Sequence, residues 1–218
     1  MTFDLPQLYA ITDMRSSRLS HAAQVGQLAA GGATLIQLRE KHLPARNFYE
    51  EAEAAITTAR TLGVKIIIND RVDIAMALQA DGVHLGQSDL APNEARKLLG
   101  PDAIIGLSVH NEAQAHLALT LPVNYLAAGP IFPTGSKSNP DPVLGVEGLS
   151  QIRQILGDFP LVAIGGISIM NAAEVFAAGA DSVALISGLL SNGDIAATTQ
   201  AFLRIPPSNR AKTSVQQI

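Results

Sequence analysis

Short runs of β-branched and aliphatic residues alternate along the chain with longer, alanine-rich stretches whose apolar positions recur every three or four residues. The runs read as strands buried on both faces, and the stretches as amphipathic helices laid over them. The predicted strands are Leu8 to Thr12, Thr34 to Leu38, Lys65 to Asn69, Gly82 to Leu85, Ile104 to Ser108, Tyr125 to Gly129, Leu161 to Ile164 and Ser182 to Ile186. Helices are predicted over Ser20 to Ala30, Pro44 to Leu62, Val72 to Gln79, Pro92 to Leu99, Glu112 to Leu119, Val146 to Leu156, Met170 to Ala178 and Ile195 to Leu203. Strand starts roughly 20 to 30 residues apart are too far for hairpins and fit a strand, a helix and two short loops.

Three helix-to-strand junctions echo one another: Ala30-Gly31-Gly32-Ala33-Thr34-Leu35, Gln79-Ala80-Asp81-Gly82-Val83 and Ala178-Gly179-Ala180-Asp181-Ser182-Val183. Glycine there supplies a left-handed helix end and close docking, and Asp81 and Asp181 read as structural turn residues at strand starts. Eight right-handed strand-helix units close most naturally into one (β/α)8 barrel, a TIM barrel of the α/β class, spanning residues 1–205. The competing doubly wound sheet lacks its G-x-G-x-x-G fingerprint. From Pro206 to Ile218 the chain is polar and proline-led, which predicts a disordered tail.

Composition narrows the function classes. Hydrophobic residues make up 47% and charged residues 16% of 218, and mean hydropathy is +0.22. Even so, apolar runs such as Ile66-Ile67-Ile68 are far shorter than the roughly 18 residues of a membrane span, so no membrane partner is expected. Met1-Thr2-Phe3-Asp4 has neither a basic region nor an apolar core like a signal peptide, which predicts a cytoplasmic protein. The absence of cysteine removes disulfides, thiolate nucleophiles and Cys-based metal sites. A net charge of −4, 4% aromatic residues and no Trp argue against a nucleic-acid partner.

In a barrel the working face is the C-terminal end of the strands. There the second strand runs out into Gln37-Leu38-Arg39-Glu40-Lys41, whose Gln37, Arg39 and Lys41 share a face while the chain stays extended. The third strand ends in Asn69-Asp70, the fourth in His84-Leu85-Gly86-Gln87-Ser88-Asp89, and the fifth in Ser108, with His110 beyond. The sixth opens into the longest loop, Gly129-Pro130-Ile131-Phe132-Pro133-Thr134-Gly135-Ser136-Lys137, while the seventh and eighth end in Gly165-Gly166 and Ser187-Gly188.

Asp70 and Asp89, on adjacent strands, form a pair of hard oxygen donors suited to Mg²⁺; the competing reading has Asp70 cap the helix starting near Arg71. With Arg39, Lys41 and Lys137 around them they make a site for a highly charged anion such as a diphosphate. Gly165-Gly166 and Ser187-Gly188 mark a second anion site where barrels often hold a phosphate on backbone N–H groups, against the plainer reading of a tight turn. Gly135-Ser136-Lys137 lacks P-loop spacing, and Lys137 sits on a loop, unlike a Schiff-base lysine inside a strand. His84 is expected to face the barrel interior or a neighbour as a hydrogen-bonded histidine, and no Ser-His-Asp spacing stands out.

Taken together, Gln37 to Lys41, Asn69-Asp70, Val83 to Asp89, Gly129 to Lys137 and Ala163-Ile164-Gly165-Gly166-Ile167 closely resemble the thiamine phosphate synthase family, in its order and spacing, from about Leu8 to Phe202. The resemblance implies an Mg²⁺-dependent transferase that joins hydroxymethylpyrimidine diphosphate to thiazole phosphate, releasing diphosphate through a pyrimidine carbocation. It implies a pyrimidine diphosphate site of Gln37, Leu38, Arg39, Glu40, Lys41, Asn69, Ser108 and Lys137, with Arg39, Lys137 and Ser108 acting in catalysis. It further implies one Mg²⁺ on Asp70 and Asp89, and a thiazole phosphate site of Thr134, Gly135, Ser136, Gly166, Ile186 and Ser187. The long sixth-strand loop is expected to act as a lid. Val109 departs from the small residue the family often has there and should flank the site. The competing readings in the same fold are a thiazole tautomerase-like isomerase, which would not need the set Asp70, Asp89, Arg39 and Lys41, and a non-enzymatic phosphate-ligand-binding regulator.

Overall fold

The computed structural model describes residues 4–135, 141–191 and 193–206. Eight parallel strands follow one another around a closed barrel: β1 (Leu8–Thr12), β2 (Leu35–Leu38), β3 (Lys65–Asn69), β4 (Gly82–Leu85), β5 (Ile104–Val109), β6 (Tyr125–Ala128), β7 (Leu161–Ile164) and β8 (Ser182–Leu185). Closure is made by β1 on β8, with Leu8 opposite Val183 and Ala10 opposite Leu185. Helices α2 (His21–Ala30), α3 (Ala45–Leu62), α4 (Val72–Leu78), α5 (Pro92–Leu99), α6 (Glu112–Ala118), α7 (Gly145–Leu156), α8 (Ala172–Ala177) and α10 (Ile195–Leu203) are the expected ones. Two further helices of four residues, α1 (Met14–Ser17) and α9 (Ser187–Leu190), were too short for a periodic pattern to reveal.

Burial on both faces explains the unbroken apolar strands. Alternate residues such as Tyr9, Ile11, Leu35, Ile67, Tyr125 and Val162 fill the barrel interior. Their neighbours Ala10, Ile36, Ile66, Ile68, Val83 and Leu107 pack outward under the helices. Polar caps start several helices where expected, with the Ser20, Asn111 and Asp194 side chains accepting from the N–H of Ala23, Gln114 and Ala197.

Two of the echoing junctions, joined by the one before β6, form one device at the N-terminal end of the barrel strands. Asp81, just before β4, accepts the N–H of Ile66 at 2.7 Å; Asp181, before β8, accepts that of Leu161 at 2.8 Å. Asn124, before β6, does the same for Ile105 at 2.8 Å. Two of these side chains are locked by a helix arginine: Arg96 donates to Asn124 Oδ1, and Arg153 to Asp181 Oδ2. Arg153 is almost wholly buried and also satisfies the carbonyls of Gly157, Phe159 and Gly179. Asp81 and Asp181 are therefore structural, as expected.

Several boundaries differ from expectation. Strand β2 starts at Leu35 and not at Thr34, β5 reaches Val109, β6 stops at Ala128, and β8 stops at Leu185 because Ile186 and Ser187 turn into α9. Gly82 is a strand residue and not a helix end, since a Cβ there would lie 1.9 Å from the Ile104 carbonyl oxygen; the left-handed residue after α4 is Gln79. Residues 207–218 of the expected tail lie outside the described residues. Among the described residues no helix is long and apolar enough to cross a membrane.

Arg153→Met should lower unfolding free energy by about 3 kcal/mol, because Asp181 and three carbonyls lose their partner. Urea denaturation at neutral pH checks this; a change within about 0.5 kcal/mol would show the clamp to be dispensable.

Candidate active site

The run from Gln37 to Lys41 leaves the sheet at Leu38, so its alternating side chains do not stay on one face. Gln37 points into the barrel and donates from Nε2 to the Tyr9 hydroxyl at 2.9 Å. Arg39 reaches toward the end of β1, with Nη1 3.3 Å from Asp13 Oδ2, while Lys41 turns toward the end of β3 and binds Asp70. Leu38 and Glu40 send their side chains elsewhere. Leu38 is buried in the layer between barrel and helices, and the Glu40 carboxylate folds under its own loop to accept the N–H groups of His42 at 2.6 Å and Leu43 at 3.2 Å. The common face expected for Gln37, Arg39 and Lys41 is thus replaced by three directions around the mouth.

Behind this loop, Thr12 ties it to β1. Its hydroxyl donates to the Gln37 carbonyl at 3.2 Å and accepts the Arg39 N–H at 3.3 Å. His21 Nδ1 lies 2.7 Å from the same hydroxyl, and His21 Nε2 lies 3.8 Å from Glu40. Burial pushes the His21 imidazole below its usual pKa, and the carboxylates of Glu40, Glu51 and Asp13 pull it back up.

Two carboxylates meet at the mouth. Asp70 follows β3 in a left-handed conformation, φ 61°, that side chains rarely adopt. Backbone bonds hold it there: its N–H donates to the His84 carbonyl at 2.8 Å, and the N–H of Arg71 to Asn69 at 2.7 Å. Asp70 does not cap α4, whose first turn has no side-chain cap, so that alternative falls. Burial pushes the Asp70 carboxyl above its usual pKa, Lys41 pulls it down, and the adjoining Asp89 carboxylate pushes it up again. Asp89 is itself anchored by the Gly86 N–H, 2.7 Å from Oδ2. Two crowded carboxylates with one ammonium between the ends of β2, β3 and β4 are a donor set that fits a divalent cation with oxygen ligands, one completed by water or phosphate oxygens. Among the described residues no third His, Cys, Asp or Glu joins them.

Below the mouth the interior is polar but uncharged. Tyr9 and Tyr125 hydroxyls lie 2.8 Å apart, Tyr125 is 3.0 Å from His84 Nδ1, and His84 Nε2 is 2.9 Å from Ser108 Oγ. Burial lowers the His84 pKa to about 4 and raises both tyrosines well above the usual value, so imidazole and phenols are neutral at pH 7. His84 is the hydrogen-bonded interior histidine expected, and its link to Ser108 gives it a place in the site that its position in the sequence did not reveal. Asn69, also at this level, is buried with Nδ2 unpartnered among the described residues.

Across the mouth lie the residues expected to hold a phosphate. Gly165 and Gly166 have φ of 102° and 63°. A Cβ on Gly166 would lie 2.6 Å from the Pro133 carbonyl oxygen, so the turn after β7 touches the loop leading to Thr134 and Gly135. Phe132 N–H donates to the Gly165 carbonyl at 3.0 Å, joining the two loops. Ile186 and Ser187 start α9 after β8. Ser136 and Lys137 lie outside the described residues, as does the centre of the loop expected to act as a lid. His110 Nδ1 bonds the Gly129 carbonyl at 2.5 Å, and His110 Nε2 lies 3.4 Å from Asp141. Val109 is wholly buried in the outward-facing core, flanking the site as expected.

Comparison with known proteins agrees with this geometry. The chain is 43% identical over 212 residues to a thiamine-phosphate synthase of Chloroflexus aurantiacus, covering 97% of this chain and 94% of the relative. It is 46% identical over 183 residues to one from Moorella thermoacetica, covering 84% and 87%. The solved structure of a thiamine phosphate pyrophosphorylase from Pyrococcus furiosus superposes with a TM-score of 0.82 at 37% identity, covering 91% of this chain and 94% of the other. The family model for thiamine monophosphate synthase matches residues 8–189, and the chain belongs to that family.

Proposed function

We propose that this transferase builds thiamine phosphate at the C-terminal mouth of the barrel from hydroxymethylpyrimidine diphosphate and thiazole phosphate, with Mg²⁺ held by Asp70 and Asp89. One observation carries the reading: Lys41, Asp70 and Asp89 converge from three successive strand ends into one cluster of two carboxylates and an ammonium. Bound there, Mg²⁺ would neutralise diphosphate oxygens as the C–O bond breaks. An isomerase acting on one phosphorylated thiazole has no need of this cluster, and a binding-only regulator has no use for a metal beside it.

The chain's own residues share the remaining work. Arg39 and Lys41 stand on the rim to receive diphosphate oxygens, and Lys137 takes the same task by family resemblance. Asn69, buried with an amide donor unpartnered among the described residues, and Ser108 offer neutral hydrogen bonds to the same substrate. The glycine turn after β7 and the start of α9 bring backbone N–H groups toward the thiazole phosphate, together with Thr134, Gly135 and Ser136. The pyrimidine cation left by diphosphate loss is captured by the thiazole nitrogen. The apolar interior side chains Ile11, Leu35, Ile67 and Val162 help exclude water from it. No general base is needed for that capture, in keeping with a neutral His84. Polar phosphorylated substrates and the absence of a membrane-spanning helix among the described residues support a cytoplasmic location.

Mixing the chain with both substrates and Mg²⁺ should yield thiamine phosphate and diphosphate in equal amounts; if neither forms, the reading fails. Asp89→Ala should abolish Mg²⁺-dependent turnover while its unfolding free energy stays within about 1 kcal/mol of the parent, and full activity would remove the metal assignment. Arg39→Ala should lower kcat by roughly 100-fold, the scale of losing one donor to developing negative charge. Steady-state kinetics decides this, an unchanged kcat excluding Arg39 from diphosphate departure.

A further inference from the structure

Five side chains from five strands form one unbroken hydrogen-bond chain across the barrel, from Gln37 through Tyr9, Tyr125 and His84 to Ser108. Its geometry is built in at several points. The Tyr9 ring meets Tyr125 edge-on at 5.6 Å, and the His84 ring stacks on Tyr125, also at 5.6 Å. Gly106 makes the room, since a Cβ there would lie 2.0 Å from Tyr125 Cζ and 2.3 Å from its hydroxyl oxygen. Tyr9, Tyr125 and His84 are all buried.

Such a chain has a direction. The Gln37 amide nitrogen can only donate, so the Tyr9 oxygen accepts from it, and the buried Tyr9 proton is left with the Tyr125 oxygen, 2.8 Å away, as its acceptor among the described residues. Tyr125 then gives its proton to His84 Nδ1, which must be the unprotonated ring nitrogen. A neutral imidazole carries one proton, here on Nε2, and that proton goes to Ser108 Oγ. Ser108 Oγ has no other partner among the described residues, so its own proton remains to be donated at the barrel mouth. Run the other way, the chain would spend the Ser108 proton on His84 and present only lone pairs, which repel an anion.

We propose that the Gln37–Tyr9–Tyr125–His84 chain holds His84 in its Nε2–H form and thereby makes the Ser108 hydroxyl an obligate donor into the barrel mouth. What Ser108 donates to, a diphosphate oxygen, rests on the function proposed above. Tyr9, Tyr125 and His84 are then positioning residues that act through Ser108, and Gln37 sets the polarity from the far side of the barrel.

The direction is read without substrate, from long-range ¹H–¹⁵N NMR of the histidine-labelled full chain at pH 7.5, with the His84 signals assigned by their loss in His84→Gln. His84 should show a protonated Nε2 and a bare Nδ1, and Tyr125→Phe, which keeps the ring and removes the hydroxyl, should give a mixture of both forms. A parent protein in the Nδ1–H form, or a tautomer indifferent to Tyr125→Phe, overturns the proposal. Kinetics supplies the second arm. Tyr125→Phe should lower kcat about 10-fold, the scale of one buried hydrogen bond, and should cause no further loss in a Ser108→Ala background. Losses that multiply in the double variant would show that Tyr125 acts independently of Ser108 and would overturn the proposal. A parent protein that makes no thiamine phosphate sinks the synthase reading alone, because the tautomer still decides the direction of the chain.

Discussion

Pairing of β1 with β8 is the constraint on which the rest depends. An open parallel sheet would leave two edges of unpaired backbone and a face on each side to cover; closure removes the edges and creates an interior. It also brings every strand's C-terminal end to one rim. Residues far apart in the chain, such as Arg39, Asp89 and Ser187, become neighbours around one opening only because the eighth strand returns to the first. Strand-to-strand bonds between Asp81, Asn124 and Asp181 and the preceding odd strands lock the opposite end. The loops at the mouth can therefore carry strain, such as the left-handed Asp70, without loosening the barrel.

Charge is sorted by depth. The rim carries Arg39, Lys41, Asp70 and Asp89; inside the barrel, hydrogen bonding is neutral, through Tyr125, His84 and Ser108, among apolar side chains such as Leu35, Ile67 and Val162. Burying an isolated charge there would cost several kcal/mol, and burial accordingly keeps His84 uncharged at pH 7. In the reaction proposed above, which expels a diphosphate and forms a cation, the rim charges would meet the departing anion and the apolar interior would keep water from the cation.

The strands and most helices were legible because burial on both faces imposes apolar runs, and the helices between them must show one apolar stripe. That Asp70, Asp89 and the Gly165-Gly166 turn stand at the barrel mouth was legible because a closed parallel barrel brings every strand end to one rim. The mixed directions of Gln37, Arg39 and Lys41 were not, since alternation in the sequence cannot show that the strand stops at Leu38. Nor could it show Glu40 folding beneath its own loop, which depends on two backbone N–H groups presented by the turn. The helices α1 and α9 are too short to carry a period.

Residue order alone determined the repeat of strand and helix, the barrel class, and which polar residues stand at strand ends, because these follow from hydrophobic period and turn chemistry that act locally. Tertiary structure decided which of those residues meet. The contact of Asp70 with Lys41 and Asp89, the room that Gly106 leaves for Tyr125, and the chain from Gln37 to Ser108 all join separate strands across the barrel. Such contacts depend on how closure staggers one strand against the next, and no local pattern encodes that stagger.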